Sequence, residues 1–286
     1  MMFDYDSNLP LDFQEHNRKK QDGTSIIEVS YASPHGGRVS SYMILPDRGG
    51  RLSAVLFMHP SGTSKHAFLK EAGIYARAGC ASLLIDGPNV RIPARPILSF
   101  TERDRDDHIQ AVVDLRRGVD LLIDRPDIDG SRIGFVGFSY GAIIGAMLAG
   151  VERRIKTYIL WACSARMTCF LRNQGKSLPK KDLEAYLHLM EVINPIQHVK
   201  SSSPSSLLFQ NGRKDKYATE DEVAALYQAA SEPKQLEWYD AGHALDGRAC
   251  QKRFEWMQGK LKLDPLEPEF MKELAKFKLK QMANPL

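Results

Sequence analysis

Cysteine is scarce and poorly spaced: the four in 286 residues, Cys80, Cys163, Cys169 and Cys250, form no C-x-x-C pair and no matched histidine pattern. That spacing argues against both a structural zinc site and a disulfide framework, and reduced thiols in a cytoplasmic protein are the simplest expectation. An excess of one charge is also missing. The 39 Lys and Arg residues are nearly balanced by 35 Asp and Glu, and the net +4 is spread along the chain. No arginine-rich block or nucleic-acid motif concentrates it, so nucleic acid is not an expected partner. The opening stretch, MMFDYDSNLPLDFQEHNRKK, mixes acids with bases where a signal peptide needs a basic start followed by an apolar run. Export is therefore not expected. Repeats, long linkers and low-complexity tracts are absent as well, which excludes solenoids and disordered scaffolds.

Long charge-free runs are almost lacking. The exception, Ile133 to Val151, approaches the length of a membrane helix but is interrupted by Gly134, Gly137, Gly141, Gly145 and Gly150. Its first part is β-prone and its second helix-prone, which suits a buried strand, a turn and a helix, so stable membrane insertion is not expected. What the chain does have is an ordinary globular composition, 43% hydrophobic and 26% charged. A chain of this length buries roughly 75% of the surface its unfolded form exposes, enough for a large core.

Ser25 to Val29 and Arg38 to Leu45 alternate apolar and polar residues about the turn Pro34-His35-Gly36-Gly37, predicting an antiparallel hairpin. Apolar runs at Ser53–Met58, Cys80–Ile85, Ile133–Val136, Thr157–Trp161, Ser206–Gln210 and Gln235–Tyr239 read as buried strands. Helical spacing separates them at Ala67–Ala78, Asp107–Ile123, Ala142–Ala149 and Glu220–Ala230, with another helix near Ala249–Lys260. Strands alternating with helices imply right-handed crossovers and a mostly parallel sheet covered on both faces, an α/β fold. Residues 163–200 break the rhythm around a helix at Lys181–Val192 and read as a helical cap inserted into one domain spanning 1–286. Trp161, Met167, Phe170, Leu171, Tyr186, Leu187, Leu189 and Met190 there either line an apolar pocket or pack cap against body. The C-terminal stretch Phe270–Met282 is amphipathic, which fits packing on the body, a homodimer contact or lipid headgroups; its short apolar face favours body packing.

Chemistry concentrates at Gly137-Phe138-Ser139-Tyr140-Gly141, a G-x-S-x-G between a strand and a helix. A strand turned sharply into a helix strains its middle residue, and glycines two positions either side leave room for neighbouring backbone. Ser139 then stands exposed at the carboxyl edge of the sheet as a nucleophile. The alternative, a phosphate-binding loop, lacks its G-x-x-x-x-G-K. A serine hydroxyl needs a base and a group to orient that base. Asp215, in a turn after one strand, and His243, just past the next, supply them in the order Ser, Asp, His, each at the carboxyl end of a strand. Asp221, Glu222 and Asp240 are rival acids, and His108, His188 and His198 lie in helices or the cap, less suited to the base. The amide after the nucleophile, that of Tyr140, is one oxyanion donor. The turn His59-Pro60-Ser61-Gly62 offers a second, most plausibly that of Ser61. Arg91 and Arg95, after the Cys80–Ile85 strand, are candidates for clamping a carboxylate or phosphate on the substrate, against the plainer reading of two solvated loop arginines.

Through that turn, the stretch Ser131 to Gly141, the acid-bearing Gly212 to Asp215 and Ala241-Gly242-His243, the sequence resembles the α/β-hydrolase superfamily, in particular its dienelactone-hydrolase and acyl-esterase branch. The similarity spans roughly Ser25 to Lys260. It implies an α/β-hydrolase fold, a Ser139–His243–Asp215 triad with oxyanion donors at Ser61 and Tyr140, and no cofactor or metal. Proline replaces the glycine usual after His59, and serine stands where dienelactone hydrolases carry cysteine, which points to cleavage of a small carboxylic ester. A peptidase or carbon–carbon bond hydrolase using the same triad, and a noncatalytic ligand-binding protein on the same fold, are the competing readings.

Overall fold

The computed structural model describes residues 2–92, 98–167, 171 and 174–276. Among them, strands β1 (Gln14–Gln21), β2 (Thr24–Ala32), β3 (Arg38–Pro46), β4 (Leu52–Met58), β5 (Cys80–Ile85), β6 (Ile128–Phe138), β7 (Thr157–Trp161), β8 (Ser206–Gly212) and β9 (Lys234–Tyr239) form one sheet in the order β1-β2-β3-β5-β4-β6-β7-β8-β9. Pairing is antiparallel from β1 through β3 to β5 and parallel from β5 to β9. The helices are α1 (Leu69–Arg77), α2 (Glu102–Asp124), α3 (Tyr140–Ala149), α4 (Lys180–Leu189), α5 (Pro195–Val199), α6 (Glu220–Ala229), α7 (Gly247–Leu261) and α8 (Pro268–Lys276).

Strand β4 shows why the runs read as they do. It is flanked by β5 and β6 and covered on both faces, so all seven residues are buried and alternate between two cores. Ala54, Leu56 and Met58 face Ala111, Val112 and Leu115 of α2 with Ala142 and Ala146 of α3. Val55 and Phe57 face Ala72 and Tyr75 of α1 with Phe254 and Met257 of α7. Each large apolar side chain buried in this way contributes about 1.5–3 kcal/mol. The chain leaves β4 for β5 on one side and returns to β6 on the other. The ends of β4 and β6 therefore form a topological switch point, the crevice in which open α/β sheets carry their sites.

The expected mixed α/β-hydrolase fold is present, with local differences. The hairpin is a three-stranded meander because β1, exposed along its whole length, adds to β2 through a backbone ladder, with one side-chain bond between His16 and Ser30. Its Glu15, Arg18, Lys19 and Lys20 bury no apolar face, so no periodicity announces the strand, and such charge discourages edge-to-edge pairing. Helix α2 begins at Glu102, ahead of the expected Asp107, because its polar first turn is anchored by one buried residue, Asp104. The Asp104 carboxylate accepts hydrogen bonds from the amides of Ser99 and Phe100 and the hydroxyl of Tyr186. The expected Lys181–Val192 helix is instead α4, a 3₁₀ turn at Met190–Ile193, and α5 after Pro195. Tyr186, Leu187, Met190 and Leu171 are buried against the body, whereas Phe170 and Cys169 lie outside the described residues.

Helix α8 packs on the body. Leu274 is buried, Arg77 lies 4.2 Å over the Phe270 ring, and the Met271 carbonyl accepts from Gln251. Residues 277–286, the rest of that amphipathic stretch, lie outside the described residues. No helix among the described residues is long and apolar enough to cross a membrane.

A buried ion pair joins the outer layer to the sheet. Arg253 of α7 makes two bonds to Glu71 of α1, at 2.7 and 3.1 Å, and a third to Gln210 of β8, with both charged side chains fully buried. Removing one partner strands a charge in the core. Glu71→Ala should therefore lower the unfolding free energy by about 3–5 kcal/mol in urea titrations; a loss below about 1 kcal/mol would show that the pair does not hold these layers together.

Candidate active site

The elbow between β6 and α3 is set by close backbone packing. A Cβ on Gly137 would lie 2.2 Å from the Gly141 carbonyl oxygen, and one on Gly141 would lie 2.0 Å from that of Met58. Only glycine fits at either place. The turn holds Ser139 at φ +53 and ψ −113, a strained region for any L-residue, and puts its side chain above the crevice. The amides of Ala142 and Ile143 bond the Ser139 carbonyl. Tyr140 is the first residue of α3, so helix geometry gives its amide no intrahelical acceptor, and the helix dipole favours negative charge there.

Two loops from neighbouring strands approach this serine. After β8, Gly212 lets the backbone of Ala241 and Gly242 come so close that a Cβ would lie 2.3 Å from the Ala241 oxygen. The amides of Arg213 and Lys214 donate to the carbonyls of Tyr239 and Ala241, at 2.9 and 3.0 Å. The loops bearing Asp215 and His243 are thereby joined. His243 Nδ1–H donates to Asp215 Oδ2 at 2.7 Å, and the Ser139 hydroxyl donates to His243 Nε2 at 2.8 Å. The Asp215 side chain is fully buried, and its Oδ1 accepts the amides of Tyr217 and Ala218 at 2.8 and 3.2 Å, which fixes its orientation. The rings of Phe138 and Tyr217 flank the imidazole at 5.1 and 5.0 Å. The rival acids stand elsewhere: Glu222 bonds Ser164 and Arg166, and Asp240 pairs with Lys214 at the surface.

The loop after β4 closes the other side. His59 is buried, accepts the Gly87 amide through Nε2 at 3.0 Å, and donates through Nδ1–H to the Pro60 carbonyl at 2.9 Å. Thr63 donates to the same carbonyl, and Gly62 supplies a positive φ of 71. This anchoring presents Ser61 at a cleft, partly open to solvent, that Ser139 and Tyr140 also line.

Arg91 departs from expectation. Its guanidinium pairs with the buried carboxylate of Asp114 and donates to the Arg38 carbonyl, and it is not among the residues lining the cleft. The role of substrate clamp is thus corrected to that of a buried counter-ion. Arg95 lies outside the described residues. In its place Asn89, Asp104, Asp107 and His108 line the cleft, none of them expected as site residues. Three of them, Asp104, Asp107 and His108, form an i, i+3, i+4 polar stripe, a pattern ordinarily carried by the solvated face of a helix.

Three comparisons bear on this arrangement. A family model described as Serine hydrolase (FSH1) matches residues 89–249. No curated protein matches the chain in sequence. Among solved structures, the acetyl xylan esterase from Paenibacillus sp. R4 is 18% identical with a TM-score of 0.76, over 88% of this chain and 90% of that one. Acetyl xylan esterase 1 from Thermoanaerobacterium sp. JW/SL YS485 is 16% identical with a TM-score of 0.73, over 90% of each chain. An α/β hydrolase from Penicillium sp. sh18 is 14% identical with a TM-score of 0.65, over 86% of this chain and 100% of that one. At such identities the likeness is one of fold.

Two predictions follow from the packing here. Gly141→Ala forces its methyl into the Met58 carbonyl, so the elbow must move; a loss of at least about 1–3 kcal/mol in thermal unfolding is expected, and an unchanged midpoint would contradict the contact. His59 and His108 are both pushed below the ordinary histidine value of 6.5, chiefly by burial. Below about pH 6.5 the unfolded chain takes up protons that the folded one refuses, so stability is intact above that pH and falls beneath it. Each histidine contributes up to about 1.4 kcal/mol per pH unit. Denaturant midpoints at pH 7.5 and 5.5 should therefore converge in His108→Phe relative to the parent; equal pH slopes would refute the assignment.

Proposed function

Because the chain belongs to the FSH1 serine hydrolase family, we propose that it cleaves a small carboxylic ester through an acyl-enzyme, with Ser139 as nucleophile, His243 as general base and acid, and Asp215 orienting the imidazole. The observation that carries this reading is the continuous relay from Ser139 Oγ through His243 to Asp215, at 2.8 and 2.7 Å. Asp215 holds the proton on Nδ1, which leaves Nε2 free to accept.

In the reaction, Ser139 Oγ attacks the ester carbonyl carbon as its proton passes to His243 Nε2. The carbonyl oxygen becomes an oxyanion, and the amides of Tyr140 and Ser61 donate to it, each contributing on the order of 3 kcal/mol. The carbon–oxygen bond to the alcohol then breaks, and His243 Nε2 returns the proton to the leaving oxygen. Water then attacks the acyl carbon as it gives a proton to His243 Nε2, the bond from that carbon to Ser139 Oγ breaks, and His243 returns the proton to Oγ, which releases the acid and restores the serine hydroxyl. Every bond change is accounted for by these groups and water, so the cycle needs no cofactor. Residues 163–200 act as a cap in this reading, Met167 contributing to the cleft wall. The substrate is a small molecule, and the esterases of like fold support ester over other carbonyl chemistry.

Fluorophosphonate should label Ser139 and p-nitrophenyl acetate should turn over. Ser139→Ala and His243→Ala should each lose at least about 10³-fold in kcat/KM, and Asp215→Asn a comparable amount, because the imidazole then takes the wrong tautomer. Turnover surviving in Ser139→Ala would overturn the proposal. Faster cleavage of peptide anilides than of esters would favour a peptidase, and absence of labelling in folded protein a noncatalytic binder.

A further inference from the structure

Three residues that line the cleft beside Ser139 carry buried polar atoms that the fold leaves without partners. His108, Tyr140 and Asn89 are 5%, 7% and 8% exposed, and all line it. His108 Nε2, the Tyr140 hydroxyl and Asn89 Oδ1 have no hydrogen-bond partner among the described residues. Their side chains lie together. The rings of His108 and Tyr140 meet edge to face at 5.2 Å, and Asn89 Oδ1 and the Tyr140 ring both lie within 3.4 Å of one point beside Gly87. A buried polar group left unpaired is costly, so such a set points to a ligand.

Which chemistry it awaits follows from hydrogen-bond roles. His108 Nδ1–H donates to the Asp104 backbone carbonyl, so Nε2 is a bare acceptor, and burial keeps the ring neutral. Asn89 Oδ1 is an acceptor too. Tyr140 can both donate and accept. The Asp104 carboxylate is already engaged by Ser99, Phe100 and Tyr186. No lysine or arginine is among the described lining residues, so a carboxylate would find no countercharge there and would lie beside the acids Asp104 and Asp107. What fits is a neutral donor that can also accept, a hydroxyl.

The side of the cleft identifies the part of the substrate. The leaving alcohol must lie by His243 Nε2 to receive its proton. The cleft touches Ser139 from the side of Tyr140, Ser61 and Ile143 and is not lined by His243, so it receives the acyl chain. Resting on the esterase reading above, we infer that the preferred substrate is an ester of a short hydroxycarboxylic acid, whose hydroxyl donates to His108 or Asn89 and accepts from Tyr140, its carbon chain lying against Ile143 and Met167.

The test compares ethyl butyrate with both enantiomers of ethyl 2- and 3-hydroxybutyrate and with ethyl 4-hydroxybutyrate, by pH-stat titration on the full chain. At least one hydroxy ester should exceed ethyl butyrate by about tenfold or more in kcat/KM, since the unhydroxylated chain leaves buried acceptors unpaired. His108→Phe, which keeps the ring edge against Tyr140, and Asn89→Ala should pull that ratio toward one. A parent ratio near one for every hydroxy ester, with Ser139 still labelled by fluorophosphonate, overturns this inference and leaves the esterase reading standing. A high ratio retained in both variants overturns the assigned residues. Absence of labelling overturns both readings together.

Discussion

Two glycines pressed against backbone oxygens set the geometry on which everything else depends. Gly137 against Gly141, and Gly141 against Met58, let β6 turn into α3 with no space for another atom, and that turn is what holds Ser139 at a positive φ. The strain is maintained by the sheet, because Met58 ends β4, which is locked between β5 and β6 and buried throughout. Local backbone cost is thus borne by global packing, the usual arrangement at functional sites.

From that fixed point the other groups are placed by short, mutually bonded loops. His59 anchors the Ser61 turn to Gly87, while Gly212 allows the loops of Asp215 and His243 to bond one another. An aromatic stack continues outward: Phe138 lies on Trp161 at 4.0 Å, and Arg253, held by Glu71, lies 4.3 Å over the Trp161 ring. The proposed base therefore rests on a ring whose support is a buried ion pair between α1 and α7, the helices that cover the same face of the sheet. Rigid support of this kind is what allows a weak nucleophile and a neutral imidazole to stay within hydrogen-bond reach before substrate arrives.

Much of this was legible in the chain. The parallel strands announced themselves because burial on both faces demands continuous apolar runs, and Cys80–Ile85 and Thr157–Trp161 have the expected bounds. The G-x-S-x-G, Asp215 and His243 could be placed at strand ends because loop position follows from strand position. What escaped was polar. Strand β1 is held by main-chain bonds that leave no side-chain pattern. The first two turns of α2 bury Asp104, Asp107 and His108, polar residues that amphipathic reasoning sends to solvent. Arg91, a candidate substrate clamp or a solvated loop arginine by sequence, is the counter-ion of Asp114 on the same helix, a pairing that no local spacing reveals.

The proposed chemistry requires that one carbonyl-derived oxygen can sit between the Ser61 and Tyr140 amides while its carbon is bonded to Ser139. A crystal structure of the phosphonate adduct tests it most directly. That chemistry predicts phosphorus on Ser139 Oγ and one phosphonyl oxygen within about 2.7–3.1 Å of both amides, with His243 Nε2 turned toward the position of the leaving group. A phosphonyl oxygen directed to solvent, or an adduct on any other residue, would contradict it.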